Sequence, residues 1–164
     1  MRAMERNLST MWRSLPPANP KWSDNPVSPS ESEHAGQAAV RVLIVEDEYF
    51  VAMDVETILS AAGCEVVGIA TTADEAVAKA RKSLPDLILM DIRLQGDRDG
   101  IDAASEIARD LKIPTVFVTA NPDAASDARA QHARPIATVS KPFTRESLLV
   151  ALAAFRDLPQ EPHC

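Results

Sequence analysis

The 164-residue sequence has few cysteines, few aromatic residues and no long apolar segment. Its two cysteines, Cys64 and Cys164, lack the spacing of metal ligands and provide no disulfide framework, so we expect Cys64 to pack as a small hydrophobic residue. No apolar run approaches the length of a membrane span, and charged residues interrupt the N-terminus, where a signal peptide needs an apolar block. We therefore expect a soluble, cytoplasmic protein without a membrane partner.

The sequence also has no excess of positive charge. Its 24 acidic residues outnumber its 17 Lys and Arg residues, so the net charge is −7. Binding to DNA or RNA needs a cationic surface that neutralises phosphates, and docking on anionic lipid needs the same. The composition therefore argues against a nucleic-acid-binding or lipid-binding function. Hydrophobic residues make up 46% of the chain, which is enough for the core of one domain of common size.

Composition divides the chain into three parts. Residues 1–39 are rich in Pro, Ser and Asn, and we expect a disordered extension because such a segment cannot bury enough surface to offset its ordering entropy. Residues 1–15 place apolar side chains at helical spacing, which leaves three interpretations open: a docking helix, a nascent helix without a partner, or residues upstream of the true start codon. Residues 40–158 form the predicted domain, and residues 159–164 form a short tail.

Within residues 40–158, five strand-length apolar runs alternate with five helical patterns. The strands are predicted at VRVLIVE, CEVVGIA, DLILMD, IPTVFVTA and RPIATVS. This alternation predicts a parallel sheet covered by helices on both faces. Gly63 is expected just beyond the first helix, and Thr72 is expected to cap the second helix, with Glu75 completing a capping box. The fourth helix, within residues 121–133, has almost no large apolar residue and should be the least firmly packed.

Polar and charged residues follow four of the five predicted strands. The first strand ends at Glu46 and Asp47, the third at Asp91, the fourth at Thr119 and Ala120, and the fifth at Lys141. In a parallel sheet these groups emerge at one edge, where binding sites form. Clustered carboxylates suit Mg²⁺. The His and Cys ligands that zinc prefers are not nearby in the sequence, which argues against a zinc site. A carboxylate can also attack a phosphoryl group, whose oxygens a metal ion, a lysine and a hydroxyl would then stabilise.

Four motifs occur in order along the chain, each at a strand end: LIVEDE, DLILMDIRL followed by DG, VFVTA, and VSKPF. Through these motifs, residues 40–158 resemble a response-regulator receiver domain of two-component signalling. The resemblance implies an α/β fold of the flavodoxin-like, doubly wound type. Its five-stranded parallel sheet would have the strand order 2-1-3-4-5, with five helices.

The resemblance also implies a role for each residue at the strand ends. Asp91 would be the phosphoacceptor. Mg²⁺ would be held by Asp47, by Asp91, by Glu46 through a bound water and by the backbone carbonyl of Arg93. The phosphoryl group would contact the Thr119 hydroxyl, the Ala120 amide and Lys141, and a cis Lys141–Pro142 peptide would aim the lysine.

The implied function is that of a stand-alone response regulator rather than a turnover enzyme. A histidine kinase or histidine phosphotransfer protein would phosphorylate Asp91 with Mg²⁺ bound, and the phosphoprotein would signal by contact with a downstream protein that the sequence does not name. Homodimerisation stays open. The alternative is a constitutive receiver-like interaction module that works without phosphorylation. A metal-dependent phosphatase is disfavoured, because Arg93 stands where such enzymes usually carry a second aspartate.

The sequence departs from the family pattern at three places. Thr138 stands where many receivers carry an aromatic residue that rotates on phosphorylation, so the phosphorylated state would be signalled through residues 121–132 instead. The loop of residues 91–100 is one residue longer than the commonest form and lacks its usual proline, and the acidic pair is Glu-Asp rather than two aspartates. We also hypothesise that the bulky Arg93 restricts the approach of water to Asp91.

Overall fold

The computed structural model describes residues 38–125 and 128–159. The predictions for residues 1–37 of the extension and residues 160–164 of the tail lie outside this part of the chain. The strands are β1 (Arg41–Val45), β2 (Glu65–Ala70), β3 (Leu87–Met90), β4 (Thr115–Thr119) and β5 (Ala137–Ser140). The helices are α1 (Tyr49–Ala61), α2 (Ala73–Ser83), α3 (Gly100–Leu111), α4 (Pro122–Ala125), α5 (Ala128–His132) and α6 (Arg145–Arg156). Within the described residues, no helix is both long and apolar enough to cross a bilayer.

The five strands form one parallel sheet in the order β2-β1-β3-β4-β5. The predicted α/β fold and its strand order 2-1-3-4-5 are thereby confirmed. β1 lies between β2 and β3, so the connections that leave β1 and β2 run in opposite directions across the sheet. Such a reversal opens a crevice at the carboxyl ends of the strands on either side of it.

Apolar side chains cover both faces of the sheet. β1 places Leu43 and Val45 on the face that packs with α2 and α3, and Val42 and Ile44 on the face that packs with α1 and α6. Every residue of β3 and β4 is buried, as the continuous apolar runs in their sequences predicted. Cys64 is buried in the second of these two layers, as expected, and this burial raises the pKa of its thiol.

The ends of α1 and α2 show how local sequence signals act. Gly63 follows α1 with a φ of 78°, as predicted for the residue beyond that helix. Thr72 caps α2, and its hydroxyl accepts a hydrogen bond from the Glu75 N–H at 3.2 Å. The Glu75 carboxylate reaches one residue further back than the predicted capping box requires and accepts from the Thr71 N–H at 2.8 Å. Lys79 pairs with the other Glu75 oxygen at 2.7 Å and so holds the carboxylate in this orientation.

The region predicted as the fourth helix contains two short helices, α4 and α5, on either side of residues 126–127. Ala130 is the buried residue of α5, and its side chain is a single methyl group. A five-residue helix is marginal without apolar burial, and a single methyl group gives α5 little of it.

Candidate functional site

Glu46 and Asp91 lie at the ends of two neighbouring strands. β1 and β3 are paired in parallel with Val45 opposite Met90, so the next residue of each strand emerges at the same edge. The Asp91 N–H donates to the Val45 carbonyl at 2.9 Å and continues the ladder past the end of β3. The backbone of the sheet therefore fixes the positions of both acidic residues.

Three carboxylates form one cluster at this edge. An oxygen of Glu46, one of Asp47 and one of Asp91 all lie within 4.8 Å of one another. Glu46 is only 3% exposed and Asp91 only 5%. Because like charges repel one another and burial removes the water that would solvate them, a nearby cation stabilises such a cluster.

Lys141 supplies this positive charge. Its Nζ lies 2.6 Å from Asp91 Oδ2 and 2.7 Å from Glu46 Oε2, so the ammonium bridges the two buried carboxylates. The Lys141 N–H donates to the Thr119 carbonyl at 2.8 Å, and the Lys141–Pro142 peptide is cis. The lysine therefore starts from the end of β5 and reaches past β4 to the ends of β3 and β1.

Burial and pairing set the electrostatics of this contact. Burial raises the pKa of Glu46, and the hydrogen bond with Lys141 offsets the effect only in part. For Lys141, burial alone would lower the pKa, but hydrogen bonds to Asp91 and Glu46 outweigh burial and raise the pKa. Lys141 is therefore held protonated, and a positive charge stays fixed at the cluster.

Two backbone contacts fix Asp91 within its loop. The Arg93 N–H donates to Asp91 Oδ1 at 3.0 Å. Gly100, the first residue of α3, lies directly against the Asp91 carbonyl, because a Cβ at Gly100 would stand 1.9 Å from that oxygen. Gly100 belongs to the DG motif, but no role was predicted for it; the available signal was a glycine at a helical position that other residues fill better. The Arg93 side chain is exposed, and its hypothesised shielding of Asp91 from water stays a prediction.

Thr119 and Ala120 stand at the end of β4, between Lys141 and the acidic strand ends. Thr119 is buried, and its hydroxyl accepts from the Asn121 N–H at 3.1 Å. Ala120 is exposed and borders a cleft of about 550 Å³ that also reaches Lys141. Apolar side chains of α1 and of the segment after β5 line the same cleft. Lys141 is thus reachable from solvent through an opening with partly apolar walls.

The donor set at this edge fits a hard divalent cation. Carboxylate oxygens are the ligands that Mg²⁺ prefers, and one or two of them suffice for direct contact. Arg93 lies two residues beyond Asp91 with its N–H on that carboxylate, so its backbone runs beside the cluster. Across residues 38–125 and 128–159, no second group of three potential metal-ligating side chains is found.

Comparisons with known proteins agree on one family. Residues 42–153 match the family model described as the response regulator receiver domain. Transcriptional regulatory protein PdtaR of Mycobacterium tuberculosis is 41% identical over 122 residues, and the phyllosphere-induced regulator PhyR of Methylorubrum extorquens is 37% identical over 112 residues. These matches cover 72% and 68% of this chain but only 59% and 41% of the two relatives. The chain therefore spans about half the length of the curated relatives it matches.

Solved structures show the same likeness. The crystal structure of the response regulator PhyR from Brucella abortus matches with a TM-score of 0.61 and 41% identity, over 73% of this chain and 48% of that one. The solution structure of the REC domain of the Erythrobacter litoralis PhyR response regulator matches with a TM-score of 0.69 and 28% identity. That match covers 77% of this chain and 97% of the REC domain.

Proposed function

This chain belongs to the response regulator receiver domain family, and from that membership we propose that Asp91 accepts a phosphoryl group from a phosphohistidine with Mg²⁺ bound. The donor would be a histidine kinase or a histidine phosphotransfer protein. Domains of this family are signalling modules of two-component systems, so the phosphorylated chain would act by contact with another protein. The observation that carries the proposal is the Lys141 bridge between the buried carboxylates of Asp91 and Glu46.

The orientation of Asp91 supports its role as the nucleophile. One carboxylate oxygen is held by the Arg93 N–H and the other by Lys141. In the proposed step, an Asp91 oxygen attacks phosphorus and forms an O–P bond while the N–P bond to the donor imidazole breaks. The imidazole nitrogen keeps the electron pair of the broken bond. Such a transfer depends chiefly on positioning and on stabilisation of the phosphoryl oxygens, and these two contacts support the positioning of Asp91.

The other residues at the edge would hold the metal and the phosphoryl group. Asp47 and Asp91 would bind Mg²⁺ directly, Glu46 through a water, and Arg93 through its backbone carbonyl. When bound, Mg²⁺ would neutralise part of the carboxylate charge and orient the phosphoryl oxygens. The Thr119 hydroxyl, the Ala120 N–H and the Lys141 ammonium would donate to those oxygens. We further expect Lys141 to leave Glu46 for the phosphoryl group, because the new oxygens carry more negative charge.

An exposed apolar rim supports delivery of the phosphoryl group by a protein. Tyr49 and Phe50 at the start of α1 are 69% and 85% exposed, and their rings meet edge to face at 5.6 Å between centroids. Met53, one turn further on, is also exposed, and Phe50 borders the cleft that reaches Lys141. Exposed aromatic and Met side chains are enriched at protein interfaces. We propose that the donor protein docks on this rim.

The first test is the mass of the intact protein after incubation with acetyl phosphate, with and without Mg²⁺. We expect a Mg²⁺-dependent gain of one phosphoryl group in the wild type and no gain in Asp91→Asn. Asp97→Asn is the matched control, because Asp97 is an exposed carboxylate of the same loop outside the cluster. This control should be labelled like the wild type.

Absence of labelling in the wild type would contradict the proposal, provided that a short-lived phosphate is excluded. Beryllofluoride binding to Asp91, followed by ¹⁹F NMR, makes that distinction because this phosphate mimic does not hydrolyse. A chain that neither gains mass nor binds beryllofluoride would instead work as a constitutive interaction module.

A further inference from the structure

The loop of residues 91–100 joins the Asp91 backbone to the first turn of α3. Gly100 lies against the Asp91 carbonyl and donates its N–H to the Ile92 carbonyl at 2.9 Å. The space beside Gly100 is too small even for a methyl group, so a shift of the Asp91 carbonyl towards Gly100 would displace the start of α3.

Two partly exposed carboxylates, those of Asp99 and Asp102, connect the first turn of α3 to a residue at the protein surface. Asp99 caps α3 and accepts from the Asp102 N–H at 3.0 Å. Arg129 reaches across from α5, and its Nη2 donates to Asp102 Oδ1 at 2.7 Å and to both Asp99 oxygens at 3.1 Å. One guanidinium therefore ties α5 to the two residues that bracket the Asp91 contact at Gly100.

The remaining packing of α5 makes this tie important. Its buried side chains are the methyl groups of Ala130 and, just beyond the helix, Ala133. A methyl group removes little apolar surface from water, so polar contacts carry an unusually large share of the attachment of α5. The side chains of Arg129, Asp99 and Asp102 are 52%, 36% and 43% exposed, and exposed ion pairs are weak. The contact can therefore break or re-form without any change in the core.

We propose that Arg129 is a positioning residue that couples the Asp91 loop to α5. The coupling runs from the Asp91 carbonyl through Gly100 to Asp99 and Asp102, and from there to the guanidinium. This inference rests on the proposed function, because it names the surface that phosphorylation of Asp91 changes. Thr138 is an exposed residue of β5, so the route through α5 does not depend on an aromatic ring at that position.

The test compares amide hydrogen exchange of residues 128–133 by NMR in the full chain, with and without Mg²⁺ and beryllofluoride. ¹⁹F NMR of bound beryllofluoride is recorded on the same samples. The variants are Arg129→Ala, Arg129→Lys and Asp102→Asn, which weaken the contact from both sides. The matched control is Arg81→Ala, because Arg81 joins α2, rather than α5, to α3 through Glu106 and Asp110, each at 3.0 Å.

In the wild type, beryllofluoride should change exchange in residues 128–133. Without ligand, the amide hydrogens of residues 128–133 should exchange about twofold to fivefold faster in Arg129→Ala and Asp102→Asn than in the wild type, as expected for loss of an exposed ion pair. Their exchange should no longer respond to beryllofluoride, although the ¹⁹F signal of the bound ligand persists. Arg129→Lys should restore part of the response, and Arg81→Ala should behave like the wild type.

The coupling is overturned if Arg129→Ala keeps the full wild-type response, or if beryllofluoride binds the wild type without any change in residues 128–133. Failure of the proposed function has a different signature, namely no bound ¹⁹F signal in any variant. In that case ligand-free exchange still decides whether Arg129 positions α5, because unchanged rates in both Arg129→Ala and Asp102→Asn would contradict it.

Discussion

At the scale of single residues, Gly100 is the position where one added methyl group acts on both the fold and the site. Its Cβ would stand 1.9 Å from the Asp91 carbonyl oxygen and 2.9 Å from the carbonyl carbon. We expect Gly100→Ala to lower the free energy of unfolding by about 1–3 kcal/mol, the usual cost of overpacking, despite the better helix propensity of alanine. It should also slow phosphorylation of Asp91 by acetyl phosphate, because the loop has to shift. Urea unfolding and intact mass measure the two effects.

Gly68→Ala is the control for this substitution. A Cβ at Gly68 would meet side-chain carbons of Leu43 and Lys79 at 3.6 and 3.7 Å, which are ordinary contacts. Gly68→Ala should therefore leave the phosphorylation rate unchanged. Equal unfolding free energies and labelling rates for the two variants would show that the close approach at Gly100 has no consequence.

Residue types at strand ends could be predicted from the sequence, but their pairing could not. Glu46, Asp47, Asp91 and Lys141 each stand at the end of a predicted strand, and a parallel sheet brings such positions to one edge. Lys141 was predicted to contact the phosphoryl group. The structure shows its ammonium between two buried carboxylates, a contact that depends on how far a side chain reaches across neighbouring strands. Neither the apolar periodicity of the sequence nor the order of its motifs predicts the distance between an ammonium and the carboxylates of other strands.

At the scale of secondary-structure elements, the start of α1 offers a test of the proposed docking rim. Phe50 is 85% exposed, so Phe50→Ala should leave stability within about 0.5 kcal/mol of the wild type. Transfer from a purified phosphohistidine protein that labels the wild type should fall about tenfold in kcat/KM, as for a moderate interface hot spot. Labelling by acetyl phosphate should not change, since a small donor needs no docking surface. Radiolabel transfer and intact mass report the two rates.

Val150→Ala is the matched control, because Val150 is 70% exposed on α6, away from the cleft. It should leave both rates unchanged. Equal losses of transfer from the protein donor and from acetyl phosphate in Phe50→Ala would place the defect in the site itself and contradict docking on this rim.

The elements differ in how far their sequences specify them. The continuous apolar runs of β3 and β4 predict strands covered on both faces, and both are fully buried. Residues 121–133 have no strong apolar period, so the sequence could not set a helix boundary there, and the structure has α4 and α5 in this region. The end of α2 shows the same limit of sequence-based prediction. The Glu75 carboxylate pairs with Lys79 and accepts from the Thr71 N–H, whereas the predicted capping box needs the Thr72 N–H. Strong burial patterns therefore predict elements better than competing polar contacts do.

At the scale of the whole molecule, the carboxylate cluster should link folding to Mg²⁺. A ligand that binds only the folded chain stabilises it by about 2.7 kcal/mol at one hundred times its Kd. The cluster of Glu46, Asp47 and Asp91 exists only when β1 and β3 are paired, so unfolding disperses it. We expect saturating MgCl₂ to raise the Tm of the wild type by about 5–10 °C in scanning calorimetry. In Asp47→Asn the rise should be largely lost, because the proposed direct ligand is replaced by a neutral amide.

The control separates this specific effect from general screening of a chain with a net charge of −7. NaCl at the same ionic strength screens repulsion everywhere on the surface but does not occupy the cluster. Its effect on Tm should therefore be smaller than that of MgCl₂ and equal in the wild type, Asp47→Asn and Asp97→Asn. If MgCl₂ raises the Tm of Asp47→Asn as much as that of the wild type, the stabilisation comes from surface screening. The acidic residues at the ends of β1 and β3 would then have no selective affinity for the cation.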